Sequence, residues 1–239
     1  MRPDTWHLFV EPSIIRFFGE GLLQTVLLSL AAVALSFAVG LLFALGRLST
    51  RRWIRWPSIA YIESVRALPV LLLIVYFGLK GSTLFRPILG AEFELPRFWA
   101  GVLGLAMYTS AVLAEIIRAG IVSLPRGQTE AARALGLSHV QTMRHVVLPQ
   151  ALRLMVPAMM AQLTTIIKDT SLVGTIGVFD LLRQGRIIYT QYFNPIEVFF
   201  FVAVVYFLIC YGLSQASRRL ELGRPPRAIL DVELRDQAA

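Results

Sequence analysis

The chain has 239 residues, 56% of them hydrophobic and 16% charged, and a mean hydropathy of +0.65. A soluble domain carries about 25% charged residues, so this composition excludes an ordinary soluble domain and marks an integral membrane protein. The formal net charge of +8 resembles that of a nucleic-acid binder, but surplus Lys and Arg in a membrane chain mark cytoplasmic loops. The lone Cys210 lies in an apolar run, which leaves no disulfide framework within the chain.

The N-terminal stretch "MRPDTWHLFVEPSIIRFFGE" has no short apolar core followed by a small-residue cleavage site, so it is expected to be uncleaved and to lie at the interface. Residues 21–46 then run without a charge. At 1.5 Å per residue they reach roughly 39 Å, more than a bilayer core of about 30 Å. The charge-free stretches within 98–117 and 198–217 are long enough for a third and a last span. The second and fourth spans, at 57–79 and 151–167, are harder to place. The second takes Glu63 and Arg66 into the helix at i and i+3 on one face, and the fourth ends against Lys168 and Asp169. The expectation is an all-α membrane protein of one domain over 1–239, with about five transmembrane helices.

Arg47, Arg51, Arg52 and Arg55 crowd 47–56 without an acid, and Arg118, Arg126, Arg133, Arg144 and Arg153 face only Glu130 across 118–153. The loops 80–97 and 168–197 instead mix basic residues with Glu92, Glu94, Asp169, Asp180 and Glu197. The positive-inside rule places the N-terminus outside, and the 118–153 loop and the C-terminus in the cytoplasm.

Within 125–150, Thr129 can cap a helix starting at Glu130, and Gly136 suits a left-handed ending. Ser138 and Gln141 form a capping box for a second helix running toward Pro149. Leu135, Val140, Met143 and Val147 are interspersed with polar groups, as in a body held at the membrane surface with one face offered to a cytoplasmic partner. Two other readings are an interfacial helix pair without a partner and a DNA-reading helix-turn-helix, which "AARALGLSHVQTMRH" resembles. Tethering between two spans argues against the second.

The spacing Glu130, Ala131, Ala132, Gly136, Val146, Leu148, Pro149 resembles the EAA loop of bacterial ABC importer permeases. "QTVLLSL" (24–30), "YFGL" (76–79), "AEIIRAGIVSLPRGQTEAARALGL" (114–137), "VLPQALR" (147–153) and "KDTSL" (168–172) are similar to the polar amino-acid uptake branch of that family. The resemblance covers roughly residues 20–222 and implies a type I importer permease whose loop couples to a separate ATPase subunit. It implies ATPase contacts at Glu130, Ala131, Ala132 and Gly136, then Arg133, Leu135 and Leu137, with Leu148 and Pro149 setting the return into the membrane. Glu130 is expected to favour the positive N-terminus of its helix.

The chain has no G-x-x-x-x-G-K-[ST] phosphate loop, so any ATP and Mg are expected in a partner chain. The resemblance implies two ATPase subunits, a second permease (identical or paralogous), an external solute-binding protein and an amino-acid substrate crossing by alternating access. Membrane lipid surrounds the chain, and no nucleic acid, cofactor or catalytic set is expected within it. His139 and His145 are six residues apart with no accompanying cluster, which does not suit a metal.

Charges at membrane depth usually face a cavity, which makes Glu63, Arg66, Lys168 and Asp169 candidates for the substrate path. The alternative is that Glu63–Arg66 and Glu115–Arg118 are structural pairs near the interface, while Gln24, Gln162 and Thr164 bond between helices. The chain departs from the family at "RALPV" (66–70) where many relatives have R-G-T-P-L, at Ala161 in place of an Asn, and at Asp180–Leu181 in place of Glu-Leu. "RLMVPAMMAQ" through "KDTSLVGTIGVFDLLR" leans toward glutamate/aspartate permeases. The rivals are a membrane-embedded enzyme or scaffold docking another partner through its loop, and a secondary transporter, for which no inverted repeat is visible.

Overall fold

The computed structural model describes residues 6–222, and these residues are helical with short connections. After a 3₁₀ turn at Trp6–Val10 the chain forms α1 (Pro12–Leu48), α2 (Arg52–Arg66), α3 (Val70–Leu89), α4 (Arg97–Val122), α5 (Arg126–Ala134), α6 (His139–Thr142), α7 (Leu148–Asp169), α8 (Leu181–Tyr192) and α9 (Pro195–Leu222). Among the described residues, five helical stretches are long and apolar enough to cross a membrane: Pro12–Leu48, Val70–Leu89, Arg97–Val122, His139–Ile176 and Pro195–Arg219.

The stretch 57–79 is not one helix, contrary to the expectation from sequence. Pro69 has no N–H to donate, and it disfavours helical backbone at Leu68. The chain therefore leaves helix after Arg66 and restarts at Val70, with Pro69 at φ −61° and ψ 133°. The apolar crossing shifts to Val70–Leu89, and Glu63 and Arg66 fall on the separate, shorter α2. The fourth crossing differs too, because its helix does not restart at 151. α6 runs through a π-helical turn at Met143–Val147 directly into α7. Pro149 occupies one of the first two positions of α7, and the wider π turn takes up the register where its missing donor would break an α-helix.

Helix α4 lies at the centre, burying Ala100, Gly101, Val102, Gly104, Leu105, Ala106, Ser110 and Ala111. Lipid tails are as apolar as leucine, so close packing of small residues holds such helices together. A Cβ on Gly104 would lie 2.6 Å from Ile74 Cα, and one on Gly40 would lie 2.8 Å from the Ser110 carbonyl oxygen. Leu28, Ile74, Val102, Leu105, Ile166 and Val173 fill the core where α1, α3, α4 and α7 meet. A second core of Ala44, Ile62, Ala114, Ile117, Ala151 and Met155 lies toward the C-terminal end of α1. A third, built on Ile14, Phe18, Leu181, Ile188, Val198 and Val202, joins the start of α1 to α8 and α9.

Candidate functional site

The segment after α4 projects as helix, reversal and helix. Helix α5 begins after Pro125, not at Thr129, which puts Glu130 in the middle of the helix. The expected contact of Glu130 with the positive helix end is therefore absent. A proline just outside the helix start has no donor to leave unpaired, which accounts for the earlier beginning. Gly136 has φ +82°, a conformation open to glycine and strained for a side chain, and its N–H donates to the Arg133 carbonyl at 2.9 Å. Ser138 and Gln141 form a reciprocal capping box: Ser138 N–H donates to Gln141 Oε1 at 2.9 Å, and Gln141 N–H donates to Ser138 Oγ at 3.3 Å.

Of the residues implied as partner contacts, Glu130, Ala131, Arg133, Leu135 and Gly136 are exposed, and Leu135 is 82% accessible. Leu137 and Leu148 are half-buried and Pro149 is exposed. Ala132 points the other way: it is 4% accessible and packs into the chain itself, so it seats α5 and presents no side chain outward. Thr142 and Val147, on the α6 and π-turn elements that α5 contacts, are buried as well. Leu135 therefore stands apolar in solvent just past a helix whose exposed residues include Glu130 and Arg133.

The charged candidates separate into two places. Glu63 pairs with Arg47 at 2.9 Å, and Arg66 is not its partner. Arg47 also reaches Glu115 at 3.1 Å, and Arg118 Nε donates to Glu115 Oε1 at 2.9 Å. The result is a chain of alternating charge, Glu63–Arg47–Glu115–Arg118, which ties α1, α2 and α4 together at the end from which α5 departs. Beside it Tyr61 stacks on Phe43 with ring centroids 3.8 Å apart and its hydroxyl bonds Ser110 Oγ at 2.7 Å.

Lys168 lies near the opposite end. It lines a groove of about 290 Å³ with Ser171, Leu182, Phe199, Val202, Ala203 and Tyr206, while Asp169 beside it is half-buried. Leu181 donates to Thr25 Oγ1 at 3.1 Å, so this groove stands at the level of Thr25 and the ionic chain at that of Arg47. Twenty-two residues of α1 separate those levels, roughly 33 Å. Glu63 and Arg66 therefore do not meet Lys168 and Asp169 in one site. Among the polar span residues, Thr164 donates within its own helix to the Met160 carbonyl at 3.1 Å.

Sequence reasoning missed two features here. By sequence Arg47 is only a loop charge, because its carboxylate partners lie 16 and 68 positions away. By sequence Asp180 is a departure from the family pattern, yet it is fully buried and caps α8 by accepting from the N–H groups of Leu182 at 3.1 Å and Arg183 at 3.3 Å. Burial pushes its carboxyl up to about 6 against the pull of those backbone donors. The Asp at the start of a helical pattern was the signal that could have found it.

Residues 36–221 match the family model described as "Binding-protein-dependent transport system inner membrane component". The probable glutamine ABC transporter permease protein GlnM of Bacillus subtilis (strain 168) is 35% identical over 206 residues, covering 85% of this chain and 91% of that protein. The glutamate/aspartate import permease protein GltK of Escherichia coli O157:H7 is 33% identical over 206 residues, covering 86% of this chain and 92% of that one. A solved structure described as the "Crystal structure of an amino acid ABC transporter with histidines" matches with a TM-score of 0.81 and 33% identity, over 92% of this chain and 99% of that one.

Proposed function

We propose that this chain, which belongs to the inner membrane components of binding-protein-dependent transport systems and is a permease of the amino-acid ABC importers, carries an acidic amino acid into the cytoplasm. It is a multi-pass membrane protein and a transport component, not an enzyme. The family works with an ATPase and with a substrate-binding protein. Five apolar crossings are few to enclose an aqueous path, which supports pairing with a second permease, identical or paralogous, above two ATPase subunits that hold ATP and Mg. The arginine-rich segment 47–56 and the 118–153 loop favour the cytoplasm, which leaves the N-terminus outside.

The observation that carries the coupling role is the docking face on α5. A helix of nine residues presents Glu130, Ala131 and Arg133 outward, with Leu135 exposed at its C-cap, while the buried Ala132 seats it on the chain. A partner that moves this helix also moves α4 and the ionic chain at its base. At the other end, Lys168 offers a cation to a substrate carboxylate entering from outside, with Asp169 next to it. Glu63 and Arg66 belong to the inner mouth, where the ion pairs must rearrange if α1, α2 and α4 separate. The names of relatives include both glutamine and glutamate/aspartate permeases, and the lean to an acidic substrate rests on Lys168 and on the sequence between 153 and 183.

The test is ATP hydrolysis in liposomes carrying this chain with its ATPase, permease partner and binding protein, with glutamate, aspartate, glutamine and histidine added one at a time. Stimulation by glutamate or aspartate is expected. Stimulation by glutamine alone would overturn the acidic assignment, and failure to associate with any ATPase would overturn the coupling role.

A further inference from the structure

Helix α2 carries a feature outside the coupling and substrate residues. Its inner face, Ser58, Ile62 and Val65, is buried against α1 and α4, so the orientation of its outer face is fixed. That outer face opens with Arg51 at the N-cap, Arg52 at the first helical position and Arg55 one turn on, with no acidic residue in the first turn. Among the described residues none of these three has an acidic ion-pair partner, and Glu63 on the same helix is taken by Arg47. Cations at the positive end of a helix dipole are unfavourably placed, so three guanidinium groups there await an anion. Between them stand two exposed tryptophans, Trp53 at 71% and Trp56 at 66% accessibility. Arg52, Arg55, Trp56 and Ile59 line a groove of about 420 Å³.

We infer that this face of α2 binds the headgroup of an anionic phospholipid of the cytoplasmic leaflet. The phosphodiester sits between Arg52 and Arg55, whose planar forks suit bidentate contact with phosphate oxygens. The indoles of Trp53 and Trp56 lie at headgroup depth, the level at which aromatic belts collect. A free phosphate or a nucleotide could meet the arginines but would leave both indoles in water, so the tryptophans select the lipid. Binding would clamp the end of α2 whose other end holds Glu63 against Arg47. The inference rests on the cytoplasmic placement of 47–56 proposed above and is independent of what is transported.

The test uses the full-length chain with Trp6 and Trp99 changed to Phe, so that fluorescence reports only Trp53 and Trp56. It is reconstituted in phosphatidylcholine vesicles with a minor fraction of either brominated phosphatidylglycerol or brominated phosphatidylcholine as quencher. A basic residue near an anionic surface enriches the lipid about 5-fold, so brominated phosphatidylglycerol should quench as if enriched at least that much. The preference should shrink as salt rises from about 0.05 to 0.5 M, as the screening length falls, and should vanish in the Arg52→Gln/Arg55→Gln variant. Unchanged quenching of that variant by brominated phosphatidylcholine shows that α2 keeps its place, and the salt titration of the unmodified arginines decides the matter should the variant misfold. Equal quenching by the two lipids would overturn the headgroup site and leave the transport reading untouched. Quenching by neither would overturn the interfacial placement of α2 as well.

Discussion

Replacing Gly104 by alanine puts a methyl group where two backbones meet. The added Cβ would stand 2.6 Å from Ile74 Cα and 2.8 Å from Ile74 N, whereas carbon atoms in contact prefer about 3.5–4.0 Å. Backbone cannot rotate away, so α3 and α4 must part by about 1 Å, a gap that forfeits a quarter to a half of each affected contact. The upper end of the overpacking range, about 3 kcal/mol, less the gain of about 1 kcal/mol for alanine over glycine in a helix, leaves a loss of about 2 kcal/mol. At about 2–4 °C per kcal/mol for a chain of this size, thermal unfolding in a fixed detergent should fall by about 4–8 °C. Two controls set the scale. Gly101→Ala meets side chains and no backbone, Val173 at 3.2 Å and Leu28 at 3.4 Å, and Gly127→Ala on α5 meets nothing within 4 Å. The first should be close to neutral and the second should raise stability by up to about 1 kcal/mol. A Gly104→Ala protein as stable as wild type, or a destabilised Gly127→Ala protein, would refute the packing argument.

The buried Asp180 makes stability depend on pH in a definite direction. Its folded carboxyl titrates at about 6 against about 3.9 when unfolded, so between those values the folded state holds a proton the unfolded state has released. Stability should fall as pH rises from about 4 to 6, by up to about 3 kcal/mol, and then level off. Asp180→Asn, which keeps a capping side chain, should flatten the unfolding temperature across that window, and an unchanged pH profile would remove Asp180 as its cause. Arg47→Met should cost about 2 kcal/mol because it strips Glu63 of its partner and Glu115 of one of two. The exposed pair Arg16–Glu20 should contribute less than about 1 kcal/mol, so Arg16→Ala should leave unfolding nearly unchanged in the same assay.

Much of this organisation could be read from local pattern. Charge-free runs located α1, α4 and α9, because a bilayer forbids unpaired charge along a whole helix. Gly136 and the Ser138–Gln141 box announced the reversal after α5, because both act within four residues. The failures arose where a backbone effect or a distant partner decided the outcome. Pro69 divided an apolar stretch that hydropathy joined, and with it moved Glu63 and Arg66 out of a crossing helix. Pro149 did the opposite, since a π turn carried the helix through a position at which it was expected to end. Ala132 matched the motif of an outward contact, but which side of so short a helix faces the chain depends on how it packs against α6 and the π turn. The Arg47–Glu115 contact could not be read, because nothing local in either residue's neighbourhood points to the other.

The account depends most on α5 transmitting work from an ATPase. Glu130→Lys reverses a charge on its exposed face without touching the buried Ala132. In proteoliposomes with the ATPase, the permease partner and the binding protein, the account predicts that this variant inserts and folds as the wild type does. It should lose ATP-driven amino-acid uptake while the ATPase continues to turn over or fails to dock. Uptake by a stable Glu130→Lys protein at the wild-type rate and the same uptake per ATP would contradict it.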